Sequence, residues 1–241
     1  MHHIQFGSQT IEYILTRSNR RKTISIAVDQ HGVTVVAPTT TEHALIEDVL
    51  YKKGAWIRQQ LNSYEEMNQD YLKRKFVSGE KLPYLGRQYR LKVNKESHLL
   101  TPTFRFQNGQ FVAELHKDAS EYEHRELLLP MYTEWIIQKG NKFSKDRMKR
   151  FTIKFPYHPN SIKIKEQEQR WGSCTPAGNI LLNWRIFLAP ASVVDYVLAH
   201  ELAHLKHMDH SKEYWETLGM LLPDYEEKKE WLRINGKTLY I

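Results

Sequence analysis

Ile24-Ser25-Ile26-Ala27-Val28 carries apolar side chains with period two, Gln30-His31-Gly32 supplies a turn, and Val33 to Ala37 is again β-branched and apolar. Successive side chains of a strand face opposite sides, so this spacing predicts a β-hairpin. Leu45, Ile46, Val49, Leu50, Ala55, Trp56, Ile57 and Leu61 then recur near helical spacing, and Thr39 with Glu42 has the form of a capping box. One long helix over about residues 41–70 is expected.

Between Gly79 and Val93 the residues Gly79, Pro83 and Gly86 punctuate the chain, while Tyr89, Leu91 and Val93 alternate. Turns and a short strand are expected there, and Phe104-Arg105-Phe106 with Phe111-Val112 around Asn108-Gly109 predicts a second hairpin. Glu121 to Gln138 returns to helical spacing, and the basic stretch behind it continues or follows that helix. Past Pro159, Ile162, Ile164 and Ile180 to Trp184 are strand candidates for a small sheet, and Pro190 opens a helix whose buried side is Val193, Val194, Val197, Leu198, Leu202 and Leu205. There is no internal repeat and no low-complexity linker. The pattern divides the chain into a β-rich region with one long helix, 1–117, and a second α+β region, 118–241.

Composition changes this picture little. At 41% apolar and 26% charged residues, the 241-residue chain has enough hydrophobic content to bury a core, which excludes a disordered chain. No apolar run reaches the roughly 18 to 20 residues of a membrane span, and Met1 to Phe6 lacks the apolar stretch of a secretory signal. A cytoplasmic protein with no membrane partner is expected. Cys174 is the single cysteine, so no intramolecular disulfide can form. The net charge of +7 suits an acidic partner such as nucleic acid, through clusters at Arg17 to Lys22, Lys73 to Lys75 and above all Lys139 to Arg150. A solvated helix face is the plainer account of the last cluster.

The chemistry concentrates at His200-Glu201-Leu202-Ala203-His204. Two histidines four positions apart project from one face of a helix about 6 Å apart along its axis, so both can reach one metal ion. A metal-bound water has its pKa lowered to about 7, and the neighbouring Glu201 carboxylate can accept its proton. A catalytic zinc takes three protein ligands and an open position, so a third ligand is needed. His207 lies a further turn along the same face and reaches the site only with strain. His210 reaches it if the chain breaks after about Met208 and doubles back, with Asp209 or Ser211 capping a new helix that carries Tyr214, Trp215, Leu218 and Leu221. Glu213 and Glu216 stay open as more distant alternatives.

Arg170-Trp171-Gly172-Ser173-Cys174, Leu182-Asn183-Trp184, Asp195-Tyr196-Val197 and His200 to His204, with His210-Ser211 and Tyr214-Trp215, together resemble the YgjP-like zinc metallopeptidases. The likeness extends to Arg17 to Arg21, Lys53 to Ile57, Ser78-Gly79-Glu80 and Leu85-Gly86-Arg87, and so to nearly the whole chain. It implies a zincin-type α+β domain with Zn2+ held by His200, His204 and His210 and with Glu201 catalytic. The family is similar in its metal motif to the WLM and SprT-like proteases. Asp209 stands where asparagine is common and Tyr214 where phenylalanine is common.

Arg170 and Arg185, with Asn183, are candidate substrate contacts, since a guanidinium stays charged and forks onto two oxygens. Ile180 to Trp184 is either the sheet edge that pairs with an extended substrate or an interior strand. Cys174 is read as a small buried residue rather than a reactive thiol. The leading expectation is hydrolysis of a peptide or protein substrate. One alternative is a zinc-dependent hydrolase of a nucleotide or other phosphate ester, and another is a nucleic-acid-associated protein with a structural zinc.

Overall fold

Alternation along β1 (His2–Phe6), β2 (Gln9–Ser18), β3 (Ser25–Asp29) and β4 (Gly32–Pro38) builds a first sheet of order β1-β2-β4-β3. The computed structural model describes residues 2–7, 9–19, 22–29, 32–61, 74–153, 155–167 and 170–241. The predicted hairpin is present, with Ser25 opposite Val36 and Asp29 opposite Gly32, although Gln30 and His31 of its turn lie outside the described residues. Every second residue of β4 points inward, and Val33, Val35 and Ala37 pack with Ile11 and Tyr13 of β2. Helix α1 (His43–Lys52) covers them with Ile46 and Leu50, and α2 (residues 54–61) adds Ile57.

The long helix expected over 41–70 is thus broken at Lys53, and its part beyond residue 61 lies outside the described residues. Its start also differs from expectation. The N-cap is Glu42, while the Thr39 hydroxyl donates to Asn19 Oδ1 at 2.8 Å, so the backbone turn at Pro38 to Thr41 outcompetes a capping box.

The chain divides into two units, Met1–Leu72 and Lys73–Ile241. The second opens with another four-stranded sheet, β5 (Lys81–Tyr84), β6 (Arg87–Glu96), β7 (Thr103–Gln107) and β8 (Gln110–His116), ordered β5-β6-β8-β7. Asn108 (φ 51°) and Gly109 (φ 74°) form the β7–β8 turn in the left-handed conformation that Asn-Gly adopts at least strain. Leu82, Leu91, Phe111 and Leu115 pack against Leu128, Tyr132 and Ile136 of α3 (Glu121–Thr152). Phe111 lies 4.8 Å from the Trp135 ring and 5.5 Å from Tyr132, and the Tyr132 hydroxyl donates to the Pro83 carbonyl. The helix starts where the Glu123 carboxylate accepts the Ser120 N–H at 2.8 Å. The boundary drawn at 117 from the sequence falls between β8 and α3, inside the second unit. These two elements share one core.

The far half of α3 lies on a three-stranded sheet, β9 (Ser161–Lys165), β10 (Gly172–Cys174) and β11 (Asn179–Asn183), ordered β10-β11-β9. Gly140 permits the contact, since a Cβ there would stand 2.9 Å from Ile164 Cδ1 and from Phe187 Cε2. The segment offered as a substrate-pairing edge is the central strand: Ile180 and Leu182 are buried, and β11 pairs on both sides. β10 is an edge instead. A 3-10 turn, Trp184–Leu188, leads into α4 (Ala191–Ala203), followed by α5 (Lys212–Leu221) and α6 (Tyr225–Asn235). The fold class is α+β with small sheets. Among the described residues, no helix is long and apolar enough to cross a membrane.

Candidate active site

Val193, Val194, Val197, Leu198, Ala199, Leu202 and Ala203 are all buried, so α4 is held by core packing on most of its circumference. Its remaining face presents His200 and His204, one helical turn apart, with ring centroids 5.0 Å apart. The helix stops at His204, where Leu205 N donates to Leu202 O at 3.0 Å and Lys206 N to Ala203 O at 3.1 Å. This tight turn reverses the chain, and the Asp209 carboxylate accepts the Ser211 N–H at 3.3 Å just before α5. His210 is thereby brought back toward α4.

One ligand atom from each of His200, His204 and His210 falls within 4.8 Å of the others. The Nε2 atoms of His200 and His210 are 3.4 Å apart. Two nitrogens at about 2.0–2.1 Å from a tetrahedral metal would be about 3.3 Å apart, so this spacing fits a shared zinc-sized ion. His207 stays outside the cluster and contributes differently: its carbonyl accepts from His204 Nδ1 at 3.0 Å, which leaves Nε2 of that ring with its lone pair free. Burial, reinforced by the neighbouring His204 and His210 rings and by Lys229, holds His200 down to about 3, and burial also lowers His204. Both imidazoles are therefore neutral at physiological pH, the form that binds metal.

Glu201 is 4% exposed. Burial pushes its carboxyl up to about 8, against the opposing charge of Arg170. The carboxylate lies against β10, where a Cβ on Gly172 would stand 2.6 Å from its Oε1. Only glycine leaves that space. Cys174, two residues on, is partly buried, and burial followed by the Glu201 charge pushes its thiol up to about 11. This is the unreactive environment expected of it.

The three candidate substrate contacts part company. Asn183 is fully buried and donates from Nδ2 to the Gln167 carbonyl at 2.6 Å and the Arg170 carbonyl at 3.2 Å, while Oδ1 accepts from Arg185 N at 3.1 Å. It braces the loop before β10. Arg185 is paired with Glu166 at 2.7 Å and lies over the Trp184 and Tyr240 rings at 4.7 and 5.0 Å. Arg170 is exposed, and among the described residues its guanidinium has no ion-pair partner. Of the basic segment Lys139 to Arg150, Arg147 is taken up by Asp195 of α4 at 3.0 Å, and Lys142, Lys145 and Lys149 are exposed beside His158. Arg17, in the other cluster, donates to the carbonyls of Pro38 and Thr41 within the first unit. Arg20, Arg21, Lys73 and Gln169 lie outside the described residues.

The residues that brace these histidines carry no functional signature of their own in the sequence. The Tyr214 hydroxyl donates to the His200 carbonyl at 3.2 Å and its ring lies 4.6–5.4 Å from all three imidazoles, while Trp215 Nε1 donates to the His210 carbonyl at 3.1 Å. The available signal was an aromatic pair four and five positions after His210.

A family model described as YgjP-like, metallopeptidase domain, matches residues 22–235. Among solved structures, the metallopeptidase zymogen abylysin of Pyrococcus abyssi aligns at 23% identity over 39% of this chain and 93% of its own, with a TM-score of 0.35. No curated protein gives a significant match.

Proposed function

Since the chain belongs to the YgjP-like metallopeptidase family, we propose that it is a zinc-dependent metalloendopeptidase with His200, His204 and His210 as ligands and Glu201 as the general base. Family membership carries the coarse statement, a metal-dependent peptidase acting on a peptide or protein. The observation that carries the finer reading is the convergence of three imidazoles beside one buried carboxylate. An all-nitrogen donor set favours zinc over magnesium or calcium, which take oxygen ligands, and three protein ligands rather than four leave a coordination position for chemistry. When bound, zinc would supply Lewis acidity toward a water molecule and the scissile carbonyl. Glu201 accepts the proton of the attacking water and delivers it to the departing amine. Its buried position suits the second half of that task, because a low-dielectric setting lets the carboxyl hold the accepted proton near neutral pH until the amine departs.

β10 is the sheet edge beside Glu201, so an extended peptide hydrogen-bonded to Gly172–Cys174 passes the carboxylate with chain on both sides. That geometry favours internal bonds over termini. Arg170 remains as a donor for substrate oxygens. The phosphate-ester alternative draws on the basic excess and on Arg170 and Arg185, of which Arg185 is already neutralised by Glu166. A structural zinc, the third alternative, takes four protein ligands as a rule. The test sets zinc-loaded protein against internally quenched peptides with blocked ends and against a nucleotide panel, with Glu201→Gln in parallel. Cleavage inside blocked peptides, lost in the variant, is expected. Hydrolysis of nucleotides alone would overturn the reading.

A further inference from the structure

We infer that Trp215 is a positioning residue for His210, and that through this ligand it sets how tightly the chain holds its metal. The inference rests on the proposed zinc site and concerns the one ligand that site leaves without a helical support. His200 and His204 project from a helix fixed by core packing, and the Tyr214 hydroxyl holds the His200 carbonyl at 3.2 Å. His210 lies in the irregular stretch between α4 and α5 and is exposed. A side chain on irregular backbone has more rotamer and backbone freedom to lose on ligation, so any contact that restricts it beforehand appears as affinity.

Trp215 makes two such contacts. Its indole N–H donates to the His210 carbonyl at 3.1 Å, which fixes the backbone, and its ring stacks on the imidazole with centroids 5.6 Å apart and planes 26° apart, which fixes the side chain. The indole is itself immobilised from α6: the Tyr225 ring stacks on it at 5.7 Å and 22°, and the Lys229 ammonium lies 4.5 Å from its centroid. Its ring is only partly buried, unlike Tyr214 next to it, so core filling does not account for so many directed contacts. The arrangement makes α6, which supplies no ligand, part of the metal site's support.

The experiment measures zinc affinity of the metal-free full chain by competition with a chromophoric chelator, for the parent, Trp215→Phe, Trp215→Leu, His210→Ala and the double variant Trp215→Phe/His210→Ala. Loss of such a support typically weakens metal binding by about 10- to 100-fold, so about 10-fold is expected for phenylalanine, which keeps a ring, and about 100-fold for leucine. In the His210→Ala background the phenylalanine change should have an effect below about twofold, because the residue through which it acts is gone. Zinc should change the tryptophan fluorescence of the parent, and this change should disappear in Trp215→Phe. Circular dichroism and melting of metal-free Trp215→Phe should match the parent. Both Trp215 variants binding zinc as the parent does, or an equal loss with and without His210, would overturn the inference while leaving the hydrolase reading intact. A parent chain that binds no zinc would overturn both.

Discussion

The same four-stranded topology is built twice in this chain, once in each unit, and within the second unit the sheet contacts the segment that leads into the histidine-bearing helix. β1-β2-β4-β3 and β5-β6-β8-β7 each consist of two antiparallel hairpins joined by a central parallel pair, Tyr13 to Ser18 beside Val33 to Pro38 in one and Leu91 to Glu96 beside Phe111 to His116 in the other. The corresponding first turns separate their roles. Gly7 (φ 61°), between β1 and β2, has nothing within 4 Å of its missing Cβ among the described residues. Gly86 (φ 75°), between β5 and β6, would place a Cβ 2.9 Å from Pro190 Cα, and there Leu85 N donates to Phe187 O at 2.8 Å and Gly86 N to Leu188 O at 3.3 Å. Pro190 is the N-cap of α4, so the second sheet anchors the helix that carries the histidines. One architecture thus packs on α1 and α2 within the first unit and supports the start of α4 within the second. What differs is the set of tertiary contacts its edge and turn make.

The largest effect expected is chemical and confined to the second unit. Glu201→Gln should lower peptide turnover by about 10² to 10⁴-fold while zinc stoichiometry and melting temperature hold, as steady-state kinetics, metal analysis and calorimetry would show. Parental turnover in this variant would remove Glu201 as the base.

Next come matched core truncations. Leu50→Ala in the first unit and Phe111→Ala in the second should each cost about 2–5 kcal/mol, both side chains being fully buried. Hydrogen exchange should localise the loss to residues before 73 in the first variant, with zinc affinity retained, and to the α3 and α4 region in the second, with zinc affinity reduced. Equal loss of zinc in both variants would erase the distinction between the two sheets.

A smaller contrast tests the turns directly. Gly86→Ala should destabilise by about 1–3 kcal/mol, because it adds a clash to an unfavourable φ, whereas Gly7→Ala should cost only about 1 kcal/mol, the φ penalty alone. Denaturant midpoints at constant slope would measure both, and identical shifts would show that the Pro190 contact carries no strain.

The smallest effect is a reporter for all of these. With its thiol pushed up to about 11, Cys174 should be alkylated at pH 8 far more slowly than a free thiol, because only the thiolate reacts. Raising the pH toward 11 should speed labelling in the native state. Leu50→Ala should leave the rate slow and Phe111→Ala should raise it. Fast labelling of the parent at pH 8 would contradict a thiol held up by its partly buried place on β10.

Local pattern was legible wherever one short stretch determines its own geometry. Period-two alternation marked β3 and β4, Asn108-Gly109 marked a hairpin turn by its left-handed dihedrals, and the four-residue spacing of His200 and His204 defined one helix face, because each depends on neighbours along the chain. Pairing order was not legible. β11 reads as an apolar run whether it is central or at an edge, and the order β10-β11-β9 is set by contacts between distant segments. The same limit applied to side chains with two plausible partners: nothing near Arg185 in the sequence announces the Glu166 carboxylate or the Tyr240 ring, nor near Asn183 the carbonyls it holds. It also hid the duplicated topology, since the two sheets share strand order and pairing direction rather than residues.

Periodicity and the chemistry of imidazole and carboxylate, both readable along the chain, mark which residues can ligate a metal and where the hairpin β3–β4 and the helix with His200 lie. Only contacts between distant segments establish that the turn after His204 aims the His207 carbonyl at His204 and the His210 ring toward His200 and His204, and that Gly172 leaves room for Glu201. The physical reason is range: dihedral preference and side-chain spacing act over a few residues, whereas burial, exclusion of a Cβ and the direction of a hydrogen bond depend on what the rest of the fold brings within a few ångströms.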